Sequence, residues 1–479
     1  MGGSGAGQIG RDRARYTRAY PVDYTLSRSV PSLRRRLQEA SEELRRLPGV
    51  TVSRIITAEE LSGIAERCEV RFRHRLFPPF VTLWMFLWQA LSPDGSCREA
   101  VFRWLADRGR GGGRTAGSAG YCLARKRLPL ALVTQVSQLV AERLSAAVAK
   151  EHLWQGRRVK IVDGTTVSMP DTPANQARFP QQAGQKPGLG FPIARVLGVF
   201  CWSSGALLAH AMCAFKGKNA SELGLLREVM MQFSAGDVVL GDRYFASYVL
   251  VALFQAQGVD VLFRQHQRRK VDFRKGKRLG AGDHLITLTK PKKCPGWLDP
   301  EQFAQLPATL LVREVRSGEW TLVTTLVDAR CCTTAALCAL YQSRWHCELD
   351  LRSIKQTLGM QLLRCQSPEM VEKELAVYLL AYNLLRALML RAAIQAAVPP
   401  RMLSFKAAQQ MLLAHGALLW LGEVEGALIA TVLTALADER VGERPGRCEP
   451  RAIKRRPKPH RLLTKPRAQA RRECSSHAS

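Results

Sequence analysis

Three carboxylates are conspicuous for where they sit in the chain. Asp163 interrupts the alternating apolar stretch VKIVDGTTVSM and Asp242 closes the run DVVLGD. Glu348 falls within YQSRWHCELDLRSIK, beside Tyr341, Arg344, Arg352 and Lys355. A carboxylate among Val159, Ile161 and Val162 is costly to bury unless a cation or hydrogen-bond donors compensate it. Metal-assisted chemistry on phosphodiesters calls for such groups. Two divalent ions roughly 3.5–4 Å apart can activate a nucleophile and stabilise the leaving alkoxide. Mg2+ needs only one or two carboxylates beside phosphate and water oxygens.

Each acid also has a plainer reading. Asp163 fits a strand-end residue bonded to the turn after it, and Asp242 fits half of an ion pair with its neighbour Arg243. Glu348 has the richest setting. Tyr341, Arg344, Glu348 and Lys355 are spaced Y-x2-R-x3-E-x6-K, which on a single helix confines them to a sector of roughly 60°, with Arg352 alongside. Leu340, Cys347, Leu351, Ile354 and Leu358 make a separate apolar stripe. One side would anchor the helix, and the adjoining side would offer a carboxylate among cations. A solvated face with i,i+4 pairs such as Glu348–Arg352 fits the same spacing. His346 and Cys347 project about 100° apart and cannot chelate one ion together.

Elements able to position these residues can be read around them. Residues 1–30 are aperiodic and read as a flexible arm. Residues 31–150 read as an all-α, arginine-rich module. It includes a leucine-faced stretch from Leu33 to Leu47, a Thr57–Glu60 capping box, an apolar helix after Pro79, and a loose glycine-rich connection over 109–120. From 157 the period changes to that of strands: 159–169, 193–202 and 207–215. A helix to about Phe233, capped by Asn219 and closed by Gly236, then leads to a strand at 237–242, a helix at 247–257 and a strand at 259–264. Three strands, helix, strand, helix, strand is the order of an α/β ribonuclease-H-like core, spanning 157–264 in its first part. Residues 265–333 read as a β-rich basic insertion carrying Arg268, Arg269, Lys270, Arg274 and Lys275. These fit either a solvated loop or contacts to DNA phosphates. Trp297 and Trp320 in the insertion fit either the core or base stacking. Residues 334–437 supply the rest of the core and further helices, one of them running from Thr334 towards Met360. Residues 438–479 read as a disordered basic tail.

Composition narrows the partners. Lys and Arg number 71 against 40 Asp and Glu, a net charge of +31, which favours a polyanion because phosphate neutralisation releases counterions. The 13 cysteines include no C-x-x-C pair, which argues against a zinc ribbon and fits a reducing compartment. The N-terminus lacks the apolar core of a signal peptide. The apolar run Phe80–Leu91 is too short to span a bilayer, and Leu375–Val398 is interrupted by Asn383, Arg386 and Arg391. No membrane association is expected.

The DGTT strand, the GDRYF segment and the Y-x2-R-x3-E-x6-K helix together resemble the DDE transposases of the insertion-sequence-4 type, over essentially the whole chain. The resemblance implies cut-and-paste transposition, with Asp163, Asp242 and Glu348 as catalytic and metal-binding residues for Mg2+, two ions per site, or Mn2+. It also implies Tyr341, Arg344 and Lys355 on the backbone of the element's end, with Arg352 beside them. The implied partner is double-stranded DNA, bound by a homodimer in the bacterial cytoplasm at the nucleoid. Two other readings of the residues stay open: a nuclease that cuts without joining, and a basic nucleic-acid-binding protein whose acids are structural.

Overall fold

The computed structural model describes residues 56, 58–70, 76–108, 117–217, 220–415, 425–442 and 462–476. The arm expected over 1–30, the Leu33–Leu47 stretch and the cap residue Thr57 lie outside them.

Among the described residues, five α-helices precede the first strand: α1 (Ala58–Arg67), α2 (Pro79–Leu91), α3 (Cys97–Arg108), α4 (Ser118–Arg127) and α5 (Leu130–Ala146). Pro79 opens α2, where a missing N–H costs nothing because the first amides of a helix have no intrahelical acceptor. Helix α4 begins at Ser118, inside the stretch expected to be a loose connection.

The strands and helices that follow are β1 (Val159–Ser168), α6 (Pro173–Arg178), β2 (Ile193–Cys201), β3 (Leu207–Ala214), α7 (Glu222–Glu228), β4 (Val238–Gly241), α8 (Tyr248–Ala256) and β5 (Asp260–Arg264). Helix α6, capped by Thr172, has no counterpart among the expected elements; apart from it and α7, the ends fall within about two residues of the expected spans, as is usual for boundaries. Helix α7 is shorter than expected and is capped by Ser221, whose hydroxyl accepts from Gly224 N. Asn219, the expected cap, is outside the described residues. Gly236, at φ 88°, makes the turn into β4.

The segment over 265–333 supplies β6 (Lys277–Gly280), β7 (Asp283–Thr289), α9 (Pro300–Gln305), β8 (Thr309–Ser317) and β9 (Trp320–Thr324). It continues the core sheet. β9 pairs antiparallel with β5 from Leu262↔Thr324 to Arg264↔Leu322, covering an edge that would otherwise leave backbone groups unpaired. All nine strands form one sheet in the order β3-β2-β1-β4-β5-β9-β8-β7-β6.

Next come α10 (Thr334–Gln342), α11 (Trp345–Arg352), a π-helical turn at Ser353–Thr357, α12 (Pro368–Gln395), α13 (Phe405–His415), α14 (Glu425–Asp438) and α15 (Arg467–Ser476). The single helix expected from Thr334 towards Met360 is therefore broken. Ser343 Oγ donates to Leu340 O at 2.5 Å and accepts from Trp202 Nε1 at 2.6 Å. His346 N and Cys347 N then reach back only three residues, to Ser343 O and Arg344 O, a 3₁₀ tightening. The tail also departs from expectation, because α15 is helical. Pro466 starts it, accepting from Gln469 N and Ala470 N, and Lys465 pairs with Glu473.

Strand alternation divides the apolar core by sheet face. Ile161, Val196 and Leu240 pack with Leu132 of α5, Leu337 of α10 and Leu380 of α12. Val162, Val239, Val261 and Val323 pack with Leu226 of α7 and with Leu250 and Phe254 of α8. Helices α1, α2 and α5 share the first core with the sheet, whereas α3 and α4 pack through Ala100, Val101, Trp104, Tyr121 and Ala124 into a smaller cluster against Phe77, Val81 and Met85. Helix α12 is long and apolar enough to cross a membrane, but 89% of its apolar window is buried inside the fold. Asn383 there bonds both N and O of Leu207.

Candidate active site

The parallel register of β1 and β4 brings the two aspartates level. Val159, Lys160 and Ile161 pair with Val238, Val239 and Leu240. Two residues further along each strand lie Asp163 and Asp242, on the sheet face of Ile161 and Leu240. Neighbouring strands are about 4.8 Å apart, so the aspartates flank one another at the carboxyl end of β4. Helix α11 packs against β1 on this face and brings Glu348.

Arg344, in the break between α10 and α11, ties the helix to the strand. Its Nη1 lies 3.2 Å from Asp163 Oδ2 and its Nη2 lies 3.0 Å from Glu348 Oε1. Burial raises the Asp163 carboxyl to about 6. Arg344 and the Gly164 N–H oppose that rise, while Asp242 and Glu348 add to it. All three acids and Arg344 thus share one electrostatic neighbourhood. Asp163 also accepts from Gly164 N at 2.8 Å, and Asp242 from Tyr244 N at 2.8 Å. Arg243 bonds Gln267 Oε1 at 2.6 Å rather than Asp242, and Glu348 pairs with Arg344 rather than Arg352, which bonds Gln356.

The other expected site residues divide. Tyr341 is buried, and burial pushes its phenol to about 12, with Arg344 and Arg264 opposing and Asp242 adding. It backs Arg344 from the core and does not face outward. Lys355, in the π-helical turn, is half-buried, which lowers its ammonium pKa. Arg352 is exposed. In the basic loop Arg268, Lys270, Arg274 and Lys275 are exposed, whereas Arg269 pairs at 3.0 Å with the buried Glu314, which gives it a structural partner. Trp297 packs on the second core, and Trp320 is 43% exposed with Arg264 4.4 Å from its ring centre.

Two supports were not legible in the sequence. Asp350, one helical half-turn from Glu348, is fully buried. Its carboxylate takes Arg386 of α12 and Arg401, the latter at 2.9 Å. This fixes the side of α11 away from the acids. Glu222, in the first turn of α7, pairs with Arg195 at 2.7 Å and lies against Gly164 on the sheet face opposite Asp163. A Cβ on Gly164 would come 2.6 Å from the Glu222 carboxyl carbon, so a side chain there would have to displace the Glu222 carboxylate from its place beside the first acid. Burial raises the Glu222 carboxyl, and Arg195 opposes the rise.

Three carboxylates against one guanidinium make a donor set of hard oxygens with spare negative charge, which suits a divalent cation. Among the described residues no three His, Cys, Asp or Glu side chains already converge on one point. Arg344 holds Asp163 and Glu348 on its two terminal nitrogens and is the cation present between them.

Residues 154–384 match the family model described as a transposase DDE domain. Over 339 residues the chain is 30% identical to the transposase InsG for insertion sequence element IS4 of Escherichia coli (strain K12), covering 69% of this chain and 74% of that protein. It also aligns with the piggyBac transposase seen by cryo-EM in a synaptic complex with hairpin DNA. That alignment has a TM-score of 0.41 and 10% identity, over 84% of this chain and 87% of the other.

Proposed function

Since the chain belongs to the DDE transposases of the insertion-sequence-4 type, we propose that it moves a DNA element by cut-and-paste, with Asp163, Asp242 and Glu348 as its catalytic carboxylates. The observation that carries this reading is the β1–β4 register, which levels the two aspartates, combined with the Arg344 bridge from Asp163 to Glu348. The strand order β3-β2-β1-β4-β5, with β1 parallel to β4, supports a ribonuclease-H-like core as the scaffold.

Asp163 with Asp242, and Asp163 with Glu348, would hold two Mg2+ or Mn2+ ions, which supply Lewis acidity towards the attacking and leaving oxygens. The protein's own work is positional. Asp350 and its two arginines keep α11 against the sheet, so Glu348 approaches from a rigid element. Arg344 balances Asp163 and Glu348 in the absence of metal, and with divalent ions held by the carboxylates its guanidinium fork would suit a phosphodiester. Lys355 and Arg352 supply further positive charge beside Glu348, and the exposed loop cations Arg268, Lys270, Arg274 and Lys275 extend it from the end of β5. The partner is double-stranded DNA at the element's ends and at the target. A homodimer pairing two ends, in the cytoplasm at the nucleoid, completes the reading.

Asp163→Asn, Asp242→Asn and Glu348→Gln should each abolish end cleavage while leaving binding to end DNA intact. Full cleavage by any one of the purified variants overturns the assignment of that residue. Strand transfer from pre-cleaved ends separates a transposase from a nuclease that only cuts.

A further inference from the structure

Away from the acids, a cavity of about 430 Å³ lies where α3 and α4 meet the start of α12. That volume is in the range of small-ligand sites. Its lining includes Arg125 and Lys126 of α4, Arg364 and Ser367 ahead of α12, and the thiols of Cys97 and Cys122.

Arg125 is the unusual member. It is 7% exposed and lies 4.1 Å from the centre of the Phe86 ring, and among the described residues no carboxylate pairs with it directly, Glu374 acting on it only at longer range. Its terminal nitrogens donate to Gln89 Oε1 at 3.0 Å, Cys97 Sγ at 3.0 Å and Cys365 Sγ at 2.9 Å. Nε has no hydrogen-bond partner among the described residues. A buried guanidinium ordinarily has an anion to compensate it, and thiols are weak acceptors. Glu374 is the one carboxylate in the lining, and its oxygens are taken up by the backbone N–H groups of Arg364 and Cys365, at 2.9 to 3.1 Å. The cavity therefore sets three cations against one engaged carboxylate. The opening turn of the 28-residue α12 also borders it, and Ser367 at the N-cap makes no side-chain cap bond. Those first amides add to the pull on an anion.

We propose that this cavity binds a phosphate-class oxyanion, presented by a DNA backbone or as free phosphate, with Arg125 at its floor and Lys126 and Arg364 at its mouth. A site at this junction would tie the amino-terminal helices, through bound phosphate, to the segment that follows α11.

Cys97 and Cys122 allow the site to be read directly, apart from the many other cations of the chain. In the reduced full-length protein, iodoacetamide labelling of each thiol is followed by peptide mass spectrometry, with exposed Cys331 and Cys474 as internal references. At a phosphate concentration about ten times its dissociation constant, Cys97 and Cys122 should react roughly tenfold more slowly than in chloride of equal ionic strength. The references should not change. Lys126→Ala combined with Arg364→Ala, both exposed positions, should remove the protection, as should Arg125→Met. Should Arg125→Met fail to fold, the double variant decides. Protection by inorganic phosphate identifies a free-anion site, and protection only by a short duplex identifies a backbone phosphate. Absence of protection by either probe, equal protection by chloride, or protection that survives the double variant overturns the proposal. No outcome depends on cleavage activity, so the test stands apart from the transposase reading.

Discussion

Helix α11 carries a carboxylate on each of two sides, and the two are built in opposite ways. Asp350 is fully buried and both its oxygens are claimed, by Arg386 and Arg401, while Tyr382 donates to Gly205 O and accepts from Arg386 Nε. Glu348 has 35% of its side chain exposed and shares its one arginine with Asp163. Asp242 has no ion-pair partner among the described residues. The first network is saturated, and removing a member strands buried charge. The second is half-open and electrostatically unbalanced, which is the arrangement expected where groups must exchange partners. Charge that holds the fold and charge available for chemistry are separated by the thickness of one helix.

The sharpest way to break this contrast is to neutralise each side in turn. Glu348→Gln should lower end cleavage on the order of 10³-fold or more while changing stability by less than about 1 kcal/mol. Cleavage rate and urea midpoint on the same preparation check both halves. Asp350→Ala should do the reverse, costing about 3–5 kcal/mol by leaving two guanidinium groups without their anion. A stability loss from Glu348→Gln as large as that from Asp350→Ala would erase the distinction.

Asp163 tests the open side by pH. Its folded carboxyl titrates near 6, against 3.8 for the ordinary side chain, so the folded protein binds this proton more readily than the unfolded chain. The resulting stabilisation is complete below about pH 4 and is lost as pH rises through 6. It amounts to at most about 3 kcal/mol. In the presence of a chelator, the difference in urea midpoint between the native protein and Asp163→Asn should change over that window and be flat above pH 7. A flat difference throughout means that burial does not control this carboxyl.

Gly164→Ala probes the support behind Asp163 and should cost about 1–3 kcal/mol, because the Glu222–Arg195 pair must yield. Combining it with Glu222→Ala should recover part of that loss on thermal melting. The smallest effect belongs to the loop. Lys270→Ala and Lys275→Ala should each reduce the dependence of log affinity on log salt by about 0.9 for every phosphate the lysine neutralises, with cleavage chemistry unaltered once DNA is bound.

Strands, and the acids on them, were readable because apolar alternation is a local signal. VKIVDGTTVSM and DVVLGD show their period without reference to anything distant. Which strands pair, and in what register, is a long-range fact, so the levelling of Asp163 with Asp242 could not be read. Periodicity also made Thr334 to Met360 one helix, whereas a hydroxyl at Ser343 and an indole from Trp202 break it and turn Arg344 inward. Asp350 in ELDLR has the same local appearance as a surface acid, since its arginines lie 36 and 51 residues away. The insertion's strand content was visible, but its continuation of the core sheet required knowing that β5 would otherwise end as an open edge.

That junction has a mechanical side. β9 is stitched to β5, β5 to β4, and β4 delivers Asp242. A hinge anywhere along this line would have to tear ladder bonds, so the insertion and the acid-bearing strand form one plank. The far strands β6 and β7 are thus joined to Asp242 by an unbroken run of paired strands.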